Sequence, residues 1–301
     1  MTGPAKKASQ WAGRAERGSP LLIRFIVWVA RTIGRGTARL LLHPISLYFL
    51  IMAPNARRHS RDYLRRIDGD KAGIAAIYGH VHCFAATILD RVFFLTDRFD
   101  VFDLTFDGLE AIDRAAADGR GAILLGAHFG SFDAMRALAR KRPDLRLKVL
   151  MHEGPDGRVA AALNRINPEL ADTVIPLGRP ESMLRVGEWL RDGGAIGILG
   201  DRVPAGDKTV RLPFLGEGAG FPISPWILAS VTGAPVVMFA GVYQGGNRYM
   251  IRFRYLAERV RRVRGGDPAA VATDLTRYVE TLEDWVRDHP KNWFNFYDFW
   301  H

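Results

Sequence analysis

The chain has 301 residues, 48% of them hydrophobic, and a formal net charge of +10. This composition excludes a wholly disordered protein and is sufficient for one large core. Cys83 is the only cysteine, which excludes an intrachain disulfide or a cysteine metal cluster and favours a reducing, cytoplasmic setting. A basic chain needs an acidic partner, and we favour anionic membrane lipid over nucleic acid because the sequence has neither zinc-finger spacing nor an aromatic and basic RNA-binding signature.

The amino-terminal region is apolar but interrupted by arginines. Arg24, Arg31, Arg35 and Arg39 follow one another at intervals of seven, four and four residues, which confines them to an arc of about 80° on a helix. We therefore predict a basic amphipathic helix that lies in a membrane interface with its arginines among lipid phosphates. The alternative is a helix packed on the protein's own core.

We divide the chain into a membrane-associating segment, residues 1–56, and a catalytic domain, residues 57–301. The domain begins with a long apolar helix candidate over 71–96 and a helix ending near 118, for which Asp107 and Glu110 form a capping box. Strands and helices then alternate. The strands are predicted at 122–126, 147–151, 173–176, 195–199 and 235–242, and the helices near 132–142, 157–166, 181–191, 222–232 and 271–288. This order predicts an α/β fold with a largely parallel mixed sheet flanked by helices, whose ligands gather at the carboxyl ends of the strands.

A histidine and a carboxylate follow the first buried strand candidate. His128 lies in the loop after residues 122–126, and Asp133 lies in the first turn of the next helix. A carboxylate that holds an imidazole in one tautomer makes a general base, so we predict His128 and Asp133 as catalytic residues. A loop histidine that a nearby acid satisfies for structural reasons is the alternative.

The loop around His128 also has candidate binding groups. We predict that Gly130 and Ser131 bind substrate, and that backbone amides of the Phe129 to Phe132 turn stabilise an oxyanion. Ser131 is a plausible N-cap of the helix that follows.

A second polar group follows the strand candidate 195–199. Asp201 comes directly after this strand, and the next segment, 202–220, is rich in glycine, proline and charge, as substrate-binding loops often are. We predict that Asp201, Arg202, Lys208 and Arg211 bind substrate, with the basic side chains holding a phosphate or an acidic carrier. An ordinary solvated loop is an equally good interpretation of this segment alone.

Other motifs point to no further chemistry. His80 and His82 are two residues apart in a helical pattern, where their side chains diverge, so we expect no metal. The glycines at 216, 218 and 220 fit neither nucleotide-binding spacing, and the Gly-x-Ser-x-Gly elbow of serine hydrolases is missing. We expect no cofactor.

Several motifs, in this order, resemble the lipid A biosynthesis acyltransferase family, within the wider glycerolipid and lysophospholipid acyltransferases. They follow an apolar amino-terminal anchor and are Gly126-Ala-His-Phe-Gly-Ser-Phe-Asp133, Gly200-Asp-Arg202, Leu212-Pro-Phe-Leu-Gly216, Leu228-Ala-Ser-Val-Thr-Gly-Ala-Pro-Val-Val237 and Pro290-Lys-Asn-Trp-Phe294. The chain departs from the family at Asp133, where glutamate is typical, and at Met151-His-Glu153, where a stretch with arginine is expected. Its aromatic ending, residues 293–300, is similar to that of the branch associated with aryl-polyene lipids.

The resemblance implies a membrane-associated enzyme on the cytoplasmic face of the bacterial inner membrane. It would move a fatty acyl group from acyl carrier protein or acyl-CoA, as co-substrate, to a hydroxyl of a lipid or glycolipid acceptor, with His128 as the base and Asp201 and Arg202 lining the site. Two other functions stay open from the sequence: a membrane-surface binding protein of the same fold without turnover, and a lipid esterase.

Overall fold

The computed structural model describes residues 20–117, 119–138, 142, 144–152, 173–177, 180–204, 206–261 and 267–300. Nine strands are present in this part of the chain. They are β1 (Asp103–Asp107), β2 (Ala122–Gly126), β3 (Leu147–His152), β4 (Val174–Leu177), β5 (Ala195–Leu199), β6 (Thr209–Phe214), β7 (Glu217–Pro222), β8 (Val236–Tyr243) and β9 (Arg248–Ala257).

Seven of these strands form one sheet in the order β1-β9-β8-β2-β5-β3-β4, and β6 and β7 form a separate antiparallel hairpin. Every neighbouring pair in the large sheet is parallel except β8 and β9. The predicted α/β fold with a largely parallel mixed sheet is therefore confirmed. All five residues of β2 are buried because this central strand has a neighbour on each side and is covered on both faces.

Eight α-helices accompany the strands in the described residues. They are α1 (Pro20–Thr32), α2 (Arg35–Met52), α3 (Pro54–Asp68), α4 (Ile74–Leu95), α5 (Glu110–Ala116), α6 (Pro180–Arg191), α7 (Ser224–Thr232) and α8 (Ala272–Asp288). The long helix predicted at 71–96 is α4. The helix predicted near 157–166 lies outside the described residues.

Two local predictions were wrong, and a third falls partly outside the described residues. Asp107 belongs to β1 and pairs with Arg252, so it does not cap α5. The helix expected at 132–142 begins as a 3₁₀ helix over Phe132–Ala137, and residues 139–141 lie outside the described residues. The segment 202–220, predicted as a loop, contains β6 and most of β7, since its apolar residues Phe214 and Ala219 are buried within the hairpin.

The amino-terminal arginines do not share one outward face. The helix is interrupted at Gly34, which has a φ of 120°, and α2 begins at the next residue. Arg35 donates to both carboxylate oxygens of Asp90 at 2.7 and 2.8 Å, and Arg39 Nη1 lies 3.7 Å from the same side chain. Asp90 is fully buried in α4, and a buried carboxylate needs cationic partners. The prediction that Arg35 and Arg39 face lipid phosphates is therefore wrong, and the side chain of Arg24 lies outside the described residues.

The same helices pack on the core and also expose apolar side chains. Their inner face, which includes Val29, Ala38 and Leu42, is buried in one cluster with α4 and the sheet. The outward-facing apolar residues are Phe25, Trp28, Ile33, Leu40, Leu47, Tyr48, Ile51 and Met52, each at least half exposed. No single helix in the described part of the chain is long and apolar enough to cross a bilayer, whereas α2 and α3 taken together pass that test but meet at a bend of 95°.

Candidate active site

Two neighbouring parallel strands bring His128 and Asp201 together. β2 and β5 run in register from Ala122 opposite Ala195 to Gly126 opposite Leu199, so the residues that follow them leave the sheet at the same edge. The N–H of Gly200 donates to the carbonyl of Gly126 at 2.9 Å, which continues the pairing past both strands. The two side chains therefore meet at the carboxyl edge of the sheet, where α/β proteins usually bind ligands.

His128 and Asp201 form a hydrogen-bonded pair. Nδ1 of His128 lies 2.8 Å from Oδ1 of Asp201, and the other carboxylate oxygen accepts a 3.3 Å hydrogen bond from Nε1 of Trp293. An ionised carboxylate only accepts hydrogen bonds, so the proton of the neutral imidazole is on Nδ1. Nε2 is then the nitrogen that can take a proton, and the His128 side chain keeps 30% of its surface exposed.

The electrostatics favour a neutral histidine next to an ionised aspartate. Burial lowers the pKa of His128, and the charge of Arg202 lowers it further, while Asp201 opposes both effects. Burial alone would raise the pKa of Asp201, but the charge and hydrogen bond of His128 and the charge of Arg202 together lower it to about 2. At neutral pH, His128 is therefore unprotonated at Nε2, as a general base must be.

Residues 292–294 cover one side of the pair formed by His128 and Asp201. The N–H of Phe294 donates to the carbonyl of His128 at 2.8 Å, and the N–H of Gly130 donates to the carbonyl of Asn292 at 2.7 Å. The side-chain amide of Asn292 in turn bonds both the N–H and the carbonyl of Tyr243 at the end of β8. The histidine loop is thus held between β8 and residues 292–294, which fixes the imidazole close to Trp293.

The predicted pairing of His128 with Asp133 is wrong in this structure. Asp133 lies in the 3₁₀ helix, and its Oδ2 is 2.5 Å from Nε of Arg91 on α4. The carboxylate therefore forms an ion pair across the helices, and the imidazole bonds Asp201 instead. A role of Asp133 in the reaction itself stays a prediction.

The turn after His128 is largely committed to backbone pairing. The amides of Gly130 and Ser131 bond the carbonyls of Asn292 and Gly241 at 2.7 Å each, so these two amides are not free for an oxyanion. Gly130 has a φ of +66°, and a Cβ there would overlap the carbonyl oxygen of Gly241. Ser131 is buried, and its hydroxyl has no hydrogen-bond partner among the described residues and does not cap the 3₁₀ helix. The substrate-binding roles of Gly130 and Ser131 stay predictions.

Arg202 lies next to the pair, as its sequence position suggested. Its Nη2 donates to the carbonyl of Phe294 at 3.0 Å, and its guanidinium lies over the ring of Tyr297 at 5.2 Å. Burial raises the pKa of Tyr297, so its phenol stays protonated at neutral pH. These contacts make Arg202 a fixed positive charge beside His128.

The other two predicted basic residues lie on the hairpin. Arg211 in β6 is exposed and donates to the carbonyl of Gly218 in β7 at 2.6 Å. Lys208 is exposed just before β6, and its carbonyl accepts from the N–H of Ile223. The predicted binding roles of both residues remain untested.

Trp293 is the main site residue whose role the sequence did not predict. Its indole bonds Asp201, and its carbonyl accepts from Nε2 of His80 at 2.9 Å. Nδ1 of His80 lies 2.8 Å from the hydroxyl of Ser60 on α3. The aromatic run around Trp293 was recognised as a family feature, but only the folded chain joins it to the strand edge.

Comparison with known protein families identifies the family of this chain. A model of the bacterial lipid A biosynthesis acyltransferases matches residues 91–301. The chain belongs to this family. No curated protein matches the chain significantly. As a lipid A biosynthesis acyltransferase family member, the protein is an acyltransferase, and the matched region contains His128, Asp201, Arg202 and Trp293, whereas Ser60 and His80 lie before it. Placement in the aryl-polyene branch stays a prediction.

Proposed function

We propose that the protein transfers a fatty acyl group from the thioester of acyl carrier protein or CoA to a hydroxyl of a lipid or glycolipid acceptor, with His128 as the general base. The observation that carries this proposal is the 2.8 Å bond between His128 Nδ1 and Asp201 Oδ1, which leaves Nε2 as the proton acceptor. Asp201 takes the orienting role that the sequence assigned to Asp133.

The reaction needs no covalent enzyme intermediate. Nε2 of His128 takes the proton of the acceptor hydroxyl as its oxygen attacks the thioester carbonyl carbon. The carbon–sulfur bond then breaks, and the imidazolium returns the proton to the leaving thiolate. The negative charge of Asp201 stabilises the imidazolium, while the positive charge of Arg202 lies close enough to lower the pKa of His128.

The test is the His128→Ala variant of the purified full chain. We expect acyl transfer to fall by about 10²- to 10⁴-fold, because a positioned base contributes a factor of that size. The assay measures acylated acceptor and free fatty acid separately. Unchanged transfer by the variant would exclude His128 as the base. Fatty acid release without need for an acceptor would instead indicate an esterase, and a wild-type protein that binds membranes without turnover would indicate a binding protein.

We also propose that the exposed apolar face of α1 and α2 lies in the cytoplasmic surface of the inner membrane. Leu40, Leu47 and Ile51 are 50–69% exposed, and their spacing confines them to an arc of about 40° on α2. Changing these three residues to serine should reduce binding to lipid vesicles. The matched control changes Leu184 and Val231, which are 68% and 75% exposed on α6 and α7. Equal loss of vesicle binding in both variants would contradict the proposal.

A further inference from the structure

The outer face of α3 carries a row of unpaired positive charge. The helix has five arginines and two aspartates. Arg58, Arg61 and Arg65 occur at positions i, i+3 and i+7, which confines them to an arc of about 60°. No hydrogen bond or ion pair joins these three side chains to another described residue. We call this face, with its three arginines, the α3 basic face.

The α3 basic face differs from the apolar face of α2. Arg58 and Arg65 are exposed and Arg61 is half-buried, and the other exposed residues of α3 are Pro54, Asn55, Asp62 and Asp68, none of which is a large apolar residue. A helix that lies in a bilayer needs such side chains on the face that meets the lipid. The apolar residues Tyr63 and Leu64 point into the protein instead and are almost fully buried. The axes of α2 and α3 also meet at a bend of 95°, so the two helices do not continue one another.

α3 is fixed directly to the active site. Tyr63 donates to the carbonyl of Pro290 at 2.5 Å. Ser60 bonds His80, His80 donates to the carbonyl of Trp293, and the indole of Trp293 bonds Asp201. A molecule that binds α3 is therefore held beside the segment that supports the catalytic pair.

Lys291 adds a fourth positive charge where this segment meets α4. Lys291 is exposed, and its side chain lies against Gly79 of α4. Its Nζ is 3.2 Å from the place where a Cβ on that glycine would be. The positive charge thus continues from α3 towards the segment that contains Trp293.

We propose that the α3 basic face is the docking surface for an acidic acyl carrier protein, which delivers its acyl thioester to His128. This inference rests on the proposed function, because it assumes that the active site accepts a carrier-bound acyl group. Charge complementarity favours an acidic protein surface for a row of arginines that faces water, and such complementarity increases the rate of encounter.

The test compares two variants with the same change in net charge. The first is Arg58→Glu/Arg61→Glu/Arg65→Glu. The control is Arg185→Glu/Arg191→Glu/Arg254→Glu, which changes exposed arginines on α6 and β9. Thermal unfolding of both full-length variants first establishes that they are folded.

The first measurement is the Kd for holo-acyl carrier protein, at low salt and again with added salt. We expect the α3 variant to bind at least about tenfold more weakly than the control variant, and the difference to shrink as salt screens the charges. Equal affinities of the two variants would overturn the proposal.

The second measurement uses one acyl chain on two donors. The α3 variant should raise KM for the acyl carrier protein donor and leave KM for acyl-CoA close to that of the control. Equal increases for both donors would overturn the proposal and indicate a general anion site. Loss of binding to phosphatidylglycerol vesicles with unchanged carrier affinity would overturn it in favour of a membrane surface. If the wild-type protein transfers no acyl group from either donor, the proposed function fails, and the Kd comparison still decides whether α3 binds the carrier.

Discussion

Asp90 and Asp201 are both buried carboxylates, but the arginine partners of Asp90 keep their charge, whereas His128, the partner of Asp201, can lose and regain a proton. Asp90 accepts from the guanidinium of Arg35 and from the hydroxyl of Tyr249 at 2.8 Å, and Arg39 is nearby. Asp201 has a histidine and an indole. Arginine keeps its charge at every physiological pH, so the Asp90 cluster cannot pass a proton on. Histidine can lose and regain one, so the same buried charge becomes part of a base.

The largest expected effect is a loss of activity when Asp201 is changed. Asp201→Asn should lower kcat/KM for acyl transfer by about 10²- to 10⁴-fold, because the amide neither orients the required tautomer nor stabilises the imidazolium. The matched control is Asp133→Asn, for which we expect a loss below about tenfold because Asp133 pairs with Arg91 whereas His128 bonds Asp201. A larger loss for Asp133→Asn than for Asp201→Asn would show that the pairing predicted from the sequence forms during the reaction.

The second prediction separates Asp90 from Asp201 by their effect on stability. Asp90→Asn should lower the free energy of unfolding by about 3–5 kcal/mol, because it leaves the partly buried Arg35 and Arg39 without their buried counter-charge. Urea unfolding measures this loss, and kcat/KM of the folded variant should change little. A stability loss as large for Asp201→Asn as for Asp90→Asn would remove the contrast between the two sites.

His80 provides a third prediction, on acid sensitivity. Burial lowers its pKa to about 4, against 6.5 for the unfolded chain. The unfolded state therefore binds more protons between these values, so stability is complete above pH 6.5 and falls as the pH drops towards 4. This shift in pKa corresponds to a loss of at most about 3 kcal/mol in the free energy of unfolding. When urea unfolding is measured across that range, the free energy of unfolding should depend less steeply on pH in His80→Gln than in the wild-type protein. An unchanged slope would contradict the lowered pKa of His80.

The smallest expected effect concerns Arg202. Its positive charge lowers the pKa of His128, so Arg202→Gln should move the acid limb of the kcat/KM profile to higher pH. In the wild-type protein this limb should lie below pH 6.5, the ordinary value for histidine, and activity should be lost as the pH falls through it. Arg211→Gln on the hairpin is the control and should leave the limb in place. A shift of the limb to lower pH in Arg202→Gln would show the opposite sign of coupling.

The sequence predicted what depends on local pattern. The buried run of β2 and the helix α4 are continuous apolar segments, and His128 and Asp201 each follow a strand directly. β9 was missed although Tyr249, Ile251 and Phe253 alternate with more polar residues, because its other face is rich in arginine.

The errors at the site have a different cause, which is distance along the chain. Asp201 is 73 residues from His128 and Trp293 is 92 residues from Asp201, so neither contact leaves a local pattern. Asp133 is only five residues from His128, and this closeness suggested a contact that the 3₁₀ helix prevents by directing the carboxylate towards Arg91. Similarly, Arg35 and Arg39 appeared to face lipid because nothing nearby in the sequence indicates that Asp90 needs them.

The distance along the chain between Trp293 and its partners also has a consequence for folding during synthesis. A ribosome makes His128 first, then Asp201, and reaches Trp293 only after another 92 residues. The pair can come together once β2 and β5 have left the exit tunnel, but the segment that closes the site is still unmade. Until it emerges, Asp201 lacks its indole partner and His80 lacks the Trp293 carbonyl. A nascent chain therefore cannot assemble the site described here until Trp293 has left the ribosome.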